Sequence, residues 1–290
     1  MGEPGLIYEE RLPFRQNHRA LDYILQLADV ARPIVCMEEL DRPLVYVSNL
    51  LAQFFGVAVD QVSDQQGNIA NALAQCRQSN RKNVSAAGIP VAYLTARVAL
   101  TLAGFGPGKT VLAPAIGGSL GNAVTQLARA LGAKHAISST TNHAKAEQAK
   151  VLGFDEVIDT SFEKLGDGMR RITDGYGADI VIDGIGGEIL SEALKALALG
   201  GSLTTLGYSG NRKTTIDVTD LIVPQASIRS LNMFRQPQAT VTDAWNAIVS
   251  LLQSGAIKPI VAKTFPLAEA AEALRYLVEG RPFGRVVLTV

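Results

Sequence analysis

From Lys109 to Tyr208 the chain alternates between short apolar runs and amphipathic stretches. "KTVLA" reads as a buried strand, and "SLGNAVTQLARALGA" as a helix whose apolar face is Leu120, Val124, Leu127, Ala128 and Leu131. "HAISS" is a strand, and "HAKAEQAKVLG" a helix ending at Gly153. "EVID" is a strand, followed by "SFEKLGDGMRRITDG", a helix with a break near Gly166. "DIVIDGI" is a strand, "EILSEALKALALG" a helix and "SLTTLGY" a strand. Five strand–helix alternations require an α/β fold, a doubly wound parallel sheet covered on both faces. Beyond it come "SIRSLNMF" as a strand, two helices in "ATVTDAWNAIVSLLQSG" and "LAEAAEALRYLVEG", and a closing strand "GRVVLTV".

Before this pattern the chain differs in character. "RQSNRKNV", Arg77 to Val84, is polar and reads as a linker, giving an N-terminal segment 1–84 and an α/β domain 85–290. Within the first segment "HRALDYILQLADVA" and "GNIANALAQC" read as helices, "RPLVYVS" as a strand and "NLLAQFFGV" as a short helix closed by Gly56. The segment is small, mixed α+β or mostly helical.

Composition excludes several classes. Lys plus Arg and Asp plus Glu both number 27, so a zero net charge gives no bulk attraction for nucleic acid or anionic membrane. Three histidines (His18, His135, His143) and two cysteines (Cys36, Cys76) show no zinc-ligand spacing, so no metal site is expected. The two thiols fit a reducing, cytoplasmic setting. "MGEPGLIYEERLPF" has neither the basic start nor the apolar core of a signal peptide, and no run is long and apolar enough for a membrane span.

The run "APAIGGSLG", Ala113 to Gly121, joins the first strand and helix of the α/β part. Ala115, Gly118 and Gly121 put small residues where a backbone must turn, approach a ligand and pack on a strand. A pyrophosphate can rest there on free N–H groups at a helix N-terminus. A tight turn that binds nothing is the alternative, and two features count against it. "HAISS" runs on into Ser138, Ser139, Thr140 and Thr141, with no acid to take a ribose 2′-hydroxyl. That hydroxyl cluster with Lys145 suits a 2′-phosphate, hence NADP(H). "DGIGG" lies at the carboxyl edge of the sheet, where such folds bind ligands.

From about Ala86 to Val290 the sequence resembles the medium-chain dehydrogenase/reductase superfamily, nearest its zinc-independent quinone oxidoreductase branch. The resemblance is carried by "AAGIPVAYLTARVAL", "APAIGGSLGNAVTQLARALGA", "HAKAEQAKVLGFDEVID", "VIDGIGGEIL", "ALALGGSLTTLGY" and the closing "LLQSGAIKPIVAKTFPLAEAAEALRYLVEGRPFGRVVLTV". It implies a Rossmann-type domain holding NADP(H), with Gly118 and Gly121 facing the pyrophosphate and Ser119 standing for a second glycine. Lys145 and Ser139 would meet the 2′-phosphate and Thr95 the nicotinamide. Gly207 and Tyr208 would line the cofactor cleft, and Arg285 would reach the phosphates. Each has a plainer alternative: Lys145 a solvated helix residue, Thr95 a cap, Tyr208 a core side chain, Arg285 a partner of a surface acid.

The family's N-terminal β-barrel of the GroES type has no counterpart in residues 1–84, where "ARPIVCMEELDRPLVYVSNLLAQFFGV" resembles the opening of a PAS domain; a helical cap is the alternative. Pro114 and Thr160 also depart from the family pattern. The resemblance implies an NADPH-dependent oxidoreductase reducing a quinone or an α,β-unsaturated carbonyl, with Tyr93 or Tyr208 as proton donor. Pairing of "SIRSLNMF" edges would give a homodimer. A non-catalytic NADP(H) sensor, or a degenerate reductase lacking its substrate domain, is the competing expectation.

Overall fold

The computed structural model describes Ile34–Cys36 and residues 89–289. Apart from those three residues, the expected N-terminal elements, the PAS-like opening and the linker lie outside the described residues, as does Cys76.

The elements in chain order are strand β1 (Ile34–Cys36), helix α1 (Ile89–Leu102), β2 (Thr110–Ala113), α2 (Ser119–Ala130), β3 (His135–Thr140) and α3 (His143–Val151). There follow β4 (Val157–Asp159), α4 (Leu165–Ile172), β5 (Ala178–Asp183), α5 (Gly187–Leu194) and β6 (Leu197–Thr205). The chain continues with α6 (Thr219–Ile222), β7 (Ser227–Ser230), α7 (Gln238–Gln253), β8 (Val261–Pro266), α8 (Ala270–Gly280) and β9 (Arg285–Thr289). Six strands form one parallel sheet in the order β4-β3-β2-β5-β6-β7. The order reverses between β2 and β5, so a crevice opens there at the carboxyl edge. This is the doubly wound sheet that the alternation requires.

Each face of the sheet buries its own cluster. On one, Val111, Ala113, Ile180 and Ile182 meet Val124 and Leu127 of α2, with α1 and α7 packed outside. On the other, Leu112, Ile137, Val181 and Leu203 meet Met169 of α4 and Leu194 of α5. The strands alternate their side chains between two apolar layers, as a fully covered parallel sheet must. A second, three-stranded parallel sheet has the order β1-β9-β8, with Ile34 opposite Val287 and Phe265 opposite Leu288. Ile34–Cys36 thus pair with the last strand of the chain.

Three boundaries differ from the pattern-based expectation. The helix expected from Ser161 starts only at Leu165, because the Asp159 carboxylate accepts from the Ser161 backbone and hydroxyl and holds a turn first; Gly166 then sits inside α4 without breaking it. "ALALG" is strand rather than helix: α5 stops at Leu194, Leu197 pairs with Ala178, and Gly200 adopts φ 73°. "SIRSLNMF" is strand only to Ser230, since Asn232 caps a 3₁₀ turn at Met233–Arg235. Helix α1 and strand β8 were not expected from periodicity, because α1 is buried on most sides and β8 follows no clean alternation.

Strand β5 ends at Asp183, which is fully buried. Its carboxylate accepts from the N–H groups of Ile185 at 2.9 Å and Gly186 at 3.0 Å. Burial pushes this carboxyl above its usual range, while those N–H donors pull the other way. Asp183→Ala leaves two turn N–H groups without their acceptor, and urea unfolding is expected to show a loss of about 2 kcal/mol. Asp183→Asn, which keeps one acceptor oxygen, should recover part of it.

Candidate cofactor site

The glycine loop is built by close packing. Ala115 sits at φ 65°, unusual for a residue with a Cβ, and turns the chain away from β2. The loop is fastened sideways by the Ile116 N–H to the Ser139 carbonyl at 2.9 Å. Helix α2 then starts against the end of β2: a Cβ on Gly121 would lie 2.3 Å from the Ala115 oxygen and 2.7 Å from the Pro114 oxygen. Only glycine fits there. N-cap Gly118 offers no side-chain bond and no acid stands in the first turn, so the positive end of α2 faces the crevice uncompensated.

Lys145 is carried to this loop by α3, whose N-cap Asn142 takes the Lys145 backbone N–H at 3.1 Å. A Cβ on Gly117 would lie 3.3 Å from the Lys145 Cδ and 3.7 Å from the Phe283 ring. The chain after α8 closes the loop from the other side, with Gly284 N–H donating to the Gly117 carbonyl at 3.0 Å. Arg281 ends α8 at φ 41°, near enough for its charge to act on Lys145. Partial burial, and then the Arg281 charge, hold the Lys145 amine below its usual value. Neither cation forms an ion pair among the described residues. Two like charges held together beside free helix N–H groups make a place for a phosphate dianion.

On the other side of the switch point, the β5–α5 turn and the chain after β6 are stitched together. Gly210 N–H donates to the Ile185 carbonyl at 2.8 Å, and Gly186 bridges Asn211. Gly207 must be glycine, since a Cβ would meet the Gly184 oxygen at 2.6 Å. Tyr208 follows it, 46% exposed, with the Arg212 guanidinium 5.0 Å from its ring centre.

The structure therefore brings together Ala115, Gly118, Ser119, Gly121 and Lys145. Gly207 and Tyr208 share the same edge across the switch point. Ser139 is 3% exposed and anchors the loop through its carbonyl. Thr95 lies half-buried on α1. Tyr93 is 2% exposed, its hydroxyl facing Gln126 and Arg285 without a well-formed hydrogen bond, and burial drives the phenol far above its usual value. Arg285 is also buried, beside that hydroxyl. Gln126, whose side chain acts on the Tyr93 phenol, lies two turns down α2, about 10 Å from its start. Arg281, Arg212 and Asp183 were missed in the sequence. Arg281 stands four residues before Arg285 in "GRPFGR", on a left-handed turn with φ 41°.

A cleft of about 870 Å³ lies elsewhere, between the starts of α4 and α5, lined by Phe162, Lys164, Glu188 and Lys213 among others. It touches neither the glycine loop nor Tyr208. Among the described residues no group of His, Cys, Asp and Glu is placed to hold a metal ion, and no helix is long and apolar enough to cross a membrane.

Comparison with known proteins agrees with this geometry. Residues 119–253 match the family model described as zinc-binding dehydrogenase. The chain is 31% identical over 209 residues, 71% of its length and 9% of the relative's, to the spectinabilin polyketide synthase system protein NorB of Streptomyces orinoci. It is 29% identical over 186 residues to the 2-haloacrylate reductase of a Burkholderia species, covering 63% of this chain and 56% of that one. A crystal structure of an NAD-dependent alcohol dehydrogenase superposes with a TM-score of 0.63 at 33% identity, over 73% of this chain and 60% of the other. The chain thus spans little more than half of the reductase and a small part of the synthase. With its sheet order, glycine loop and crevice, the α/β part of this chain belongs to the medium-chain dehydrogenase/reductase superfamily as its nucleotide-binding part.

Proposed function

We propose that the chain is an NADPH-dependent reductase of alkenes conjugated to a carbonyl, quinones included. The observation that carries the cofactor choice is the Lys145 side chain packed against Gly117, within reach of the Arg281 charge. NAD-type sites place an acid at the end of this strand; here the end of β3 holds hydroxyls, and the neighbouring cations await an anion. The residues fit the group: with no Cβ at Gly121, α2 starts directly on the Pro114 and Ala115 carbonyls and its first N–H groups have no side-chain cap. Gly118, Ser119 and Gly121 would carry the pyrophosphate on backbone N–H groups, Lys145 and Arg281 the 2′-phosphate, and Thr95, Gly207 and Tyr208 would flank the nicotinamide. When bound, the reduced nicotinamide supplies a hydride to the acceptor's β-carbon.

The acceptor class follows the 2-haloacrylate reductase relative, whose name states an activated alkene as substrate. The chain's own contribution is position and a proton. Tyr208 stands exposed at the edge where the acceptor would lie and can give its hydroxyl proton to the α-carbon. Tyr93 is sealed in the core and cannot reach an acceptor.

The cofactor assignment is tested by fluorescence titration. Lys145→Ala and Arg281→Ala should each weaken NADPH binding tenfold or more, about 1.4 kcal/mol, and leave NADH binding nearly unchanged. Equal losses for both nucleotides would overturn it. Tyr208→Phe should lower kcat at least tenfold on pent-3-en-2-one with NADPH affinity retained; unchanged kcat would remove Tyr208 as the donor. Firm NADPH binding with no oxidation by any enone or quinone would favour the sensor reading.

The same reading includes a homodimer. Strand β7 is one of the sheet's two edge strands, with all four residues exposed, and Leu199, Ile222 and Val223 are exposed apolar residues nearby. Sedimentation at micromolar concentration should give the dimer mass, and Ile228→Lys the monomer.

A further inference from the structure

Arg212 and its neighbour Lys213 have no carboxylate partner among the described residues, and of the two only Arg212 lies over an aromatic ring. Nearby basic groups such as Arg171 and Lys195 are neutralised by Glu163 and Glu192. The backbone on both sides of Arg212 is tied down. Asn211 bridges Gly186, the Lys213 N–H donates to the Asn211 side chain at 3.1 Å, and the Thr214 hydroxyl donates to the Gly187 carbonyl. The guanidinium itself lies over the Tyr208 ring, 5.0 Å from its centre. A cation–π contact of this kind steadies the guanidinium and leaves it N–H groups for a planar anion.

Its place along the sheet decides what that anion is. Lys145 and Arg281 serve the end of β3; Tyr208 and Arg212 follow β6, three strands away across the switch point. At about 4.8 Å per strand that is roughly 14 Å. A dinucleotide lying across the crevice with its adenosine phosphate on the β3 side presents its reacting end toward β5 and β6. The cofactor's phosphates are therefore committed elsewhere, and an anion at Arg212 belongs to the acceptor.

We propose that Arg212, steadied by Tyr208, clamps a carboxylate of the acceptor, so that the substrate class is a small α,β-unsaturated carboxylate rather than a neutral enone or quinone. The inference rests on the reductase reading and narrows its substrate. A guanidinium fork matches a carboxylate in two parallel hydrogen bonds and draws charge toward its oxygens, which makes the conjugated β-carbon a better hydride acceptor. Arg212 is then a specificity-determining residue.

Two measurements test this on the full chain. In steady-state kinetics with crotonate and pent-3-en-2-one, Arg212→Gln should lower the crotonate-to-ketone ratio of kcat/KM at least tenfold, chiefly through the crotonate KM, and Arg212→Lys should restore part of it. A ratio unchanged in Arg212→Gln overturns the clamp. By calorimetry, crotonate should bind the NADP⁺ complex of the wild type and bind at least tenfold more weakly to Arg212→Gln; no crotonate binding, or equal binding by both, overturns it. The two readings fail separately. Ketone reduction without crotonate binding leaves the reductase and removes the clamp. Arg212-dependent crotonate binding without NADPH oxidation keeps the clamp and removes the reductase.

Discussion

The contact between Gly121 and the end of β2 governs the geometry of the site. Because nothing larger than a hydrogen separates α2 from the Pro114 and Ala115 carbonyls, the helix begins directly on the sheet's carboxyl edge. Its uncapped N-terminus therefore opens into the crevice and not onto the surface. The Ile116 bond to Ser139 draws β3 to the same level, and with it α3 and Lys145. The Gly284 bond to Gly117 brings the end of α8, and with it Arg281. A side chain at position 121 would push α2 outward and separate these groups at once.

Charge is arranged along the edge in the same economical way. The chain carries no net charge, and several of its exposed lysines and arginines are paired with acids. Among the described cations without such a pair are Lys145 and Arg281 on one side of the crevice and Arg212 and Lys213 on the other. Placing bare cations together costs stability through repulsion and desolvation, and the depressed Lys145 amine records that cost. An anion bound between them offsets it, so nucleotide binding and folding are linked.

Much of this arrangement was legible in the sequence. The strand–helix alternation gave the parallel sheet, since period and turn residues agree there with the fold. The loop residues Ala115, Gly118 and Gly121 and the cation Lys145 were visible because they sit within one strand–helix–strand–helix unit, at short sequence distance. Arg281 and Arg212 were not, because their roles depend on long-range placement: one on a left-handed turn more than 130 residues from Lys145, the other on a stacking contact across a loop. Arg285 is buried and close enough to Tyr93 for their charges to interact, a placement set by long-range packing that the closing pattern does not carry.

The most direct test of the central claim is a crystal structure of the chain with NADP⁺. The account requires the pyrophosphate on the Gly118–Gly121 backbone, the 2′-phosphate between Lys145 and Arg281, and the nicotinamide beside Tyr208. A nucleotide lying instead in the cleft between α4 and α5, or a 2′-phosphate turned to solvent with Lys145 and Arg281 untouched, would contradict it.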